Sequence, residues 1–242
     1  MRKNVEKMSL NYSPNFSTRK RPASKVKYLI FHYTGMKSEN GAIRKLTSEN
    51  SDVSCHYFIK RNGEIVQIVP DLYIAWHAGI SYWKKDKLLN SNSIGIEISN
   101  PGHKHGYNNF SFNQIKSVIK LSKNLKKKYN IRRENILGHS DIAPLRKKDP
   151  GEKFPWELLS KKKICIWHNI NKKTCLRLRK IKLKDNSYFF KLLFRLGYKF
   201  TNKSNEKLKI YKSFQRRFRP NLVSSIVDKE CYNILKSLIK LY

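Results

Sequence analysis

Two histidines and an aspartate in this chain have the residue types and the local context of metal ligands. His32 and His139 each follow a short apolar run, and Asp149 opens the turn Asp149-Pro150-Gly151. Two neutral imidazoles and one carboxylate form a frequent ligand set for catalytic Zn²⁺, which keeps its fourth position for water. For any one of these residues alone, a hydrogen-bonded loop position is the alternative. Their combination predicts a metal site.

The apolar runs before the two histidines predict the strands that would position them. Residues 26–33 are almost continuously apolar, which is typical of a central strand buried on both faces. Ile136 and Leu137 lead directly into Gly138 and His139 in the same way. Two buried strands that each end in a histidine favour a site shared between them.

A further strand, predicted at 93–99, carries an acidic residue. Its three isoleucines share one face, so Gly95 and Glu97 share the other. Taken alone, a glutamate in such a strand is more typical of a solvated position on an outer face.

The remaining elements complete an α/β pattern. Strands at 55–59 and 64–69 flank the dipeptide Asn62-Gly63, which is typical of a β-hairpin turn. Ser111 and Gln114 have the spacing of a capping box at the start of a long amphipathic helix. The predicted fold class is therefore α/β, with a central mixed β-sheet flanked by helices.

Composition divides the chain into four parts. These are an N-terminal arm at 1–24, a main domain at 25–159, a basic linker at 160–186 and a helical module at 187–242. The module contains helical patterns at 188–196, 208–218 and 228–241. They add a small C-terminal three-helix module to the fold class. Such a module is marginally stable alone and can be stable when it packs on a larger neighbour.

The chain is strongly basic, with 52 Lys and Arg residues against 17 Asp and Glu residues and a formal net charge of +35. Such a surplus favours association with a polyanion, such as nucleic acid, anionic lipid or a cell-wall polymer. Mutational bias is the alternative, since Lys, Asn and Ile are abundant together and the lysines are scattered. Because no nucleic-acid-binding motif is recognisable, no nucleic-acid partner is expected.

The four cysteines and the N-terminal residues bear on the cellular compartment. No cysteine pair has the C-x-x-C spacing, so neither a zinc knuckle nor a thioredoxin-like motif is indicated, and nothing favours a disulfide framework. The first residues lack the apolar segment of a secretory signal. No stretch approaches the roughly 18 apolar residues of a spanning helix. We expect a cytoplasmic protein without a transmembrane segment, and the cell envelope or periplasm is the alternative.

Several motifs together resemble one enzyme family. In chain order they are Phe31-His32-Tyr33-Thr34, Ser54-Cys55-His56-Tyr57, Trp76-His77-Ala78-Gly79, Ser93-Ile94-Gly95-Ile96-Glu97, Gly138-His139-Ser140-Asp141-Ile142-Ala143-Pro144, Arg146-Lys147-Lys148-Asp149-Pro150-Gly151 and Phe154-Pro155-Trp156. Residues 25–158, which contain these motifs, resemble the type 2 N-acetylmuramoyl-L-alanine amidases. This family is related to phage amidases and peptidoglycan recognition proteins.

The resemblance implies a site and a reaction. It implies Zn²⁺ ligands at His32, His139 and Asp149, the catalytic glutamate at Glu97 and the catalytic lysine at Lys147. Such an enzyme hydrolyses the amide bond between the lactyl group of N-acetylmuramic acid and L-alanine, in peptidoglycan or in muropeptides. The glutamate would act as the general base, and the lysine would stabilise the oxyanion.

Other residues of the motifs have a predicted role that stands beside a structural alternative. Trp76 and His77 are predicted to line the substrate groove, and packing at the edge of the core is the alternative. His56 is predicted to contact substrate or to orient a catalytic group, and packing under the site is the alternative. Cys55 stands where some relatives carry a tyrosine that assists catalysis, which leaves the electrophilic role to Lys147 and the metal. The loop pair His103-x-His105 lies outside the family pattern, and no metal role is expected for it.

The C-terminal module resembles the small helical peptidoglycan-binding modules in its Phe214-Gln215 pair, Phe218 and Pro220. Glycine is scarce where such modules usually have it, and a structural cap without binding function is the alternative. The expected partner is peptidoglycan or a muropeptide, and the expected oligomeric state is a monomer. The competing function is a non-catalytic peptidoglycan-recognition protein, which the complete ligand set disfavours.

Overall fold

The computed structural model describes residues 8–241. Residues 1–7 of the predicted N-terminal arm lie outside the described residues. The chain forms two compact units. The first contains the described residues up to Gly79 together with 90–137, and the second contains Ile80–Leu89 and 138–241.

The strands, in chain order, are β1 (Ser9–Leu10), β2 (Phe16–Ser17), β3 (Tyr28–Tyr33), β4 (Tyr57–Ile59), β5 (Ile65–Gln67), β6 (Ile74–Ala75), β7 (Tyr82–Trp83), β8 (Asp86–Lys87), β9 (Ser93–Ile98) and β10 (Ile136–Gly138). The helices are α1 (Glu39–Thr47), α2 (Phe112–Lys128), α3 (His139–Ile142), α4 (Trp156–Lys161), α5 (Lys172–Arg179), α6 (Ser187–Leu196), α7 (Ser204–Phe218) and α8 (Lys229–Ile239).

The main sheet has six strands in the order β1-β5-β4-β9-β3-β10. Strand β9 lies between β4 and β3 and is parallel to both, whereas β4 and β5 are antiparallel. The sheet is therefore mixed, and with the flanking helices it confirms the predicted α/β class. Parallel central strands are covered on both faces, which explains why β3 and β9 are so apolar in sequence. Leu29, Ile30 and Phe31 of β3 are all fully buried.

Local sequence signals explain the borders of several elements in the first unit. The β4–β5 hairpin turns at Asn62-Gly63, where Gly63 has a φ of 89° and a Cβ would overlap the backbone of Asn113. Helix α2 begins with the predicted capping box. The Ser111 hydroxyl accepts from the Gln114 N–H (3.1 Å), and the Gln114 Oε1 accepts from the Ser111 N–H (2.9 Å).

The second unit is largely helical. Helix α6 ends at Gly197, whose φ of 137° favours glycine, and α8 begins where the Asp228 carboxylate accepts from the Cys231 N–H (2.9 Å). The three helices predicted for the C-terminal module are thus present as α6, α7 and α8. Helix α5 lies within the segment that the sequence predicts as a linker, capped by Asn171. The predicted domain boundaries stay a prediction.

The sequence did not predict the two-residue strands β1, β2, β6, β7 and β8, since such short segments show no periodicity. Within residues 8–241, no helix combines the length and the hydropathy that a membrane crossing requires.

Candidate active site

Strands β3 and β9 bring a histidine and a glutamate side by side. His32 and Glu97 are register partners in the parallel β3–β9 pair, so their side chains leave the same face of the sheet. His32 is buried, with 1% of its surface exposed, while Glu97 is half-buried. The predicted face for Glu97, shared with Gly95 and opposite the isoleucines, agrees with this register.

Strand β10 delivers the second histidine. It lies next to β3 in the main sheet and ends at Gly138, and helix α3 starts with His139. A Cβ at Gly138 would overlap Pro150, so the end of the strand packs directly on the turn that follows Asp149. The Nδ1 of His139 lies 3.0 Å from the Oδ2 of Asp149, and the Ser140 N–H donates to the Asp149 carbonyl (2.8 Å).

The three predicted ligands come together. One donor atom from each of His32, His139 and Asp149 lies within 4.8 Å of the other two, and all three residues are buried. Buried imidazole and carboxylate groups are costly unless they are hydrogen-bonded or hold a cation. Two histidines and one carboxylate match the open three-ligand arrangement of catalytic zinc sites. The donor set therefore fits a divalent metal.

A buried ion pair supports the segment that carries His139. The Asp141 Oδ2 accepts from the Gly138 N–H (2.8 Å) and from Arg217 (2.7 Å), and its Oδ1 accepts from the Tyr198 hydroxyl (2.6 Å). Both members of the ion pair are almost fully buried, at 2% and 1% side-chain exposure. Burial and the Asp141 carboxylate hold the pKa of Tyr198 well above its ordinary value, so its hydroxyl remains a donor. Sequence reasoning missed this cluster, because its members are distant in the chain.

Lys147 lies between α3 and Asp149 and is half-buried, with its N–H donating to the Ala143 carbonyl (3.0 Å). Its neighbour Arg146, which sequence reasoning did not select, donates to the Ile80 carbonyl (2.8 Å) and lies 3.4 Å from the Nε2 of His139. Burial lowers the pKa of Arg146, and the Asp149 carboxylate partly offsets that effect. Arg146 thus lies beside the ligand His139, and Lys147 comes two residues before the ligand Asp149.

The three residues predicted to contact substrate have different environments. Trp76 is half-buried, with its Nε1 3.5 Å from the Ser17 hydroxyl. His77 is buried, and its Nδ1 lies 3.0 Å from the Nε2 of His32.

His56 is fully buried. Its Nδ1 accepts from the Gly95 N–H (3.0 Å), and its Nε2 lies 3.1 Å from the Tyr73 carbonyl. Burial and the nearby Arg21 guanidinium lower the pKa of His56 to about 3, so the ring is neutral. Packing under the site and contact with substrate both stay predictions for this residue.

Cys55 and the loop pair His103-x-His105 both have defined contacts. Cys55 is fully buried, and burial together with the Glu97 carboxylate raises the pKa of its thiol well above the ordinary range. It therefore remains a neutral thiol, with its Sγ 3.3 Å from the Tyr57 carbonyl. The Nδ1 of His103, in the loop pair, lies 2.9 Å from the Tyr33 hydroxyl, and its ring stacks on Tyr107.

The sequence matches the family described as N-acetylmuramoyl-L-alanine amidase over residues 22–152. The N-acetylmuramoyl-L-alanine amidase AmiD of Escherichia coli (strain K12) is 34% identical over 235 residues, covering 90% of this chain and 84% of that protein. The 1,6-anhydro-N-acetylmuramyl-L-alanine amidase AmpD of the same organism is 41% identical over 104 residues, covering 43% of this chain and 55% of that protein.

Solved structures of amidases are also similar to this chain over most of its length. A complex of AmiD from E. coli with anhydro-N-acetylmuramic acid-L-Ala-D-γ-Glu-L-Lys superimposes with a TM-score of 0.81 at 33% identity, covering 93% of this chain and 92% of that one. AmpDh3 from Pseudomonas aeruginosa, in complex with anhydromuramic pentapeptide, also has a TM-score of 0.81, at 27% identity, covering 100% of this chain and 98% of that one. Because the family match spans more than half of the sequence and AmiD aligns along most of both chains, this chain belongs to the N-acetylmuramoyl-L-alanine amidases.

Proposed function

We propose that the protein is a zinc-dependent amidase that hydrolyses the bond between the lactyl group of an N-acetylmuramoyl residue and L-alanine. The observation that carries the proposal is the buried cluster of His32, His139 and Asp149, whose donor atoms lie within 4.8 Å of one another. Family membership supplies the reaction type. A non-catalytic recognition protein has no need of a complete ligand set.

The metal would be held by these three residues. The Nε2 of His32 faces His77, and the Nδ1 of His139 faces Asp149. His32 would bind the metal through Nδ1, the nitrogen that does not face His77. His139 would also bind through Nδ1, the nitrogen that lies next to the other ligand, Asp149. When bound, Zn²⁺ supplies Lewis-acid polarisation of the scissile carbonyl and a lowered pKa for water.

Glu97 and Lys147 would carry the acid–base and electrostatic parts of the reaction. Glu97, the register partner of His32, would accept a proton from the attacking water and deliver it to the nitrogen of the leaving L-alanine. The C–O bond forms first as water adds to the carbonyl carbon, and the C–N bond breaks afterwards as the nitrogen takes the proton, so the products are a free lactyl carboxylate and an amine. The Lys147 ammonium would stabilise the negative charge that develops on the carbonyl oxygen.

The substrate class is proposed from the relatives. Both solved complexes contain a muramic acid peptide with the anhydro form of the sugar. Muropeptides with anhydro-muramic acid are therefore the first substrates to test, and intact peptidoglycan is the second. The surplus of cations, a net charge of +35, would favour the anionic carboxylates of stem peptides.

The experiment is product analysis by mass spectrometry with the full-length protein. Wild-type protein should release a peptide that begins with L-alanine from anhydro-muropeptides. EDTA should abolish this activity, and added Zn²⁺ should restore it. Asp149→Ala should lose both zinc and activity, while Asp52→Ala, at an exposed aspartate, should keep both. A fully metallated Asp149→Ala protein would refute the ligand set, and cleavage elsewhere in the substrate would refute the reaction.

Three predictions from the sequence extend this proposal and stay predictions. They are substrate contact by Trp76, His77 and His56, glycan binding by the C-terminal helices and a cytoplasmic location. Cell fractionation with an antibody against the native protein would test the last of these.

A further inference from the structure

Three buried side chains in the first unit form a continuous hydrogen-bonded line that starts at a predicted ligand. The Nε2 of His32 lies 3.0 Å from the Nδ1 of His77, and the Nε2 of His77 lies 3.2 Å from the Ser93 hydroxyl. Their exposed fractions are 1%, 8% and 0%. Solvent therefore contributes little to the orientation of these groups.

Only one arrangement of protons satisfies this line when His32 binds a metal through Nδ1. A neutral imidazole then carries its proton on Nε2, and this proton needs an acceptor. The Nδ1 of His77 is that acceptor, which places the proton of His77 on its own Nε2. That proton is donated to the Ser93 hydroxyl, so each ring nitrogen in the line has a matched role.

We propose that His77 is a positioning residue for the ligand His32, which it orients and holds in the Nε2-protonated tautomer. The proposal rests on the zinc site of the proposed function. A hydrogen bond to the outer nitrogen of a metal-bound histidine fixes the ring and raises its basicity. His77 thus has a role in metal affinity, which differs from the substrate contact that the sequence predicts.

The backbone around His77 is built to hold its ring in this position. A Cβ at Gly95 would overlap the ring of His77, so only glycine at this position of β9 leaves room for it. The Asn90 Oδ1 accepts from the N–H of His77 (3.1 Å) and from that of Ala78 (2.7 Å). The ring of His56 packs edge-on against His77, with centroids 5.5 Å apart.

The test measures Zn²⁺ affinity by chelator competition and the absorption bands of the Co²⁺-substituted protein. His77→Leu fills the volume but removes the acceptor, and it should weaken Zn²⁺ binding by about 10–100-fold. His77→Asn places an amide oxygen near the position of Nδ1, so it should restore most of the affinity. The Co²⁺ bands should shift in His77→Leu and return toward the wild type in His77→Asn.

Ser93→Ala provides a second route that leaves the His77 ring in place. It removes the acceptor of the Nε2 proton, so His77 can carry its proton on Nδ1 and lose its role toward His32. Weaker Zn²⁺ binding in this variant would support the proposal even if His77→Leu does not fold. His103→Asn is the matched control, since it makes the same replacement at a histidine outside the line.

The outcomes separate this proposal from the proposed function. If the wild type binds Zn²⁺ and Asp149→Ala does not, equal affinities in the wild type, His77→Leu and Ser93→Ala would overturn the role of His77 alone. Equal losses in His77→Leu and His77→Asn, with unchanged unfolding midpoints, would also overturn it, because the acceptor would then be irrelevant. Failure of the wild type to bind Zn²⁺ would overturn both proposals.

Discussion

His32 and Glu97 are register partners across the parallel pair β3–β9, and their side chains leave the same face of the sheet. The relationship is set by backbone hydrogen bonds along both strands rather than by the side chains themselves. A predicted metal ligand and a proposed general base are therefore fixed relative to each other by the pairing of two largely buried strands. Rigid strands position such groups more accurately than loops do.

We expect Glu97→Gln to retain Zn²⁺ and lose turnover. The amide keeps the shape of the side chain but cannot accept a proton, and general-base catalysis typically contributes about 10²–10⁴-fold. The measurement is kcat on an anhydro-muropeptide together with zinc content by mass spectrometry. Glu49→Gln, at an exposed glutamate, serves as the control. A rate near that of the wild type would show that another group takes the proton.

Lys147→Met should lower kcat with little change in zinc content. Loss of one group that stabilises an oxyanion typically costs about 10²–10³-fold in kcat. Lys147→Arg keeps the charge and should recover part of the rate. Lys148→Met, at the exposed neighbouring lysine, should behave like the wild type. Equal losses at both lysines would instead indicate a general effect of surface charge.

His56 should make the folded protein less stable as the pH falls. Burial and Arg21 lower its pKa from 6.5 to about 3 in the folded state, so the unfolded chain binds a proton that the folded chain does not. Its contribution to the free energy of unfolding is therefore complete above about pH 6.5. Between there and pH 3 this contribution falls by about 1.4 kcal/mol for each pH unit that is lost.

The comparison is urea unfolding of the wild type and His56→Asn between pH 5 and 7, in the presence of a chelator. The variant should show a shallower dependence of unfolding free energy on pH, because it lacks the titrating ring. His105→Asn, at an exposed position, should match the slope of the wild type. Parallel curves for all three proteins would contradict the assignment.

Arg217→Leu should destabilise the second unit strongly. It leaves the Asp141 carboxylate buried without its counter-charge, a change that typically costs about 3–5 kcal/mol. The unfolding midpoint in urea, followed by circular dichroism, measures the effect. Arg195→Leu, on the exposed face of α6, should change stability little. A loss below about 1 kcal/mol, the value typical of exposed ion pairs, would show that Asp141 remains solvated.

Sequence predicted the parts of the site that depend on local patterns. The apolar runs located β3 and β10, the alternation of isoleucines placed Glu97 on its face, and Asn62-Gly63 located the hairpin. Each signal lies within about ten residues, where periodicity and turn chemistry act. The residue types of His32, His139 and Asp149 already predicted a metal site, and the family resemblance implied the individual roles of these residues.

The supporting residues could not be predicted in the same way. Arg217 and Tyr198 meet Asp141 across long stretches of chain, and a lone arginine in a basic helix gives no sign of burial. His77 lay in a recognised motif, yet its contact with His32 depends on the close approach allowed by Gly95. Such contacts arise from tertiary packing, which overrides local pattern.

The Asp141 carboxylate limits how this protein can be shortened. A truncation after residue 186, the end of the predicted linker, would delete Tyr198 and Arg217, two partners of the Asp141 carboxylate, which belongs to the helix that begins with His139. It would also remove Ser213, whose hydroxyl donates to the Ser140 carbonyl (2.6 Å). Loss of activity in a shortened chain would then result from losing the contacts that hold the helix carrying the metal ligand His139, rather than from a missing contact with glycan. Substitutions on the exposed faces of α6 and α8, within the intact chain, can separate the two causes.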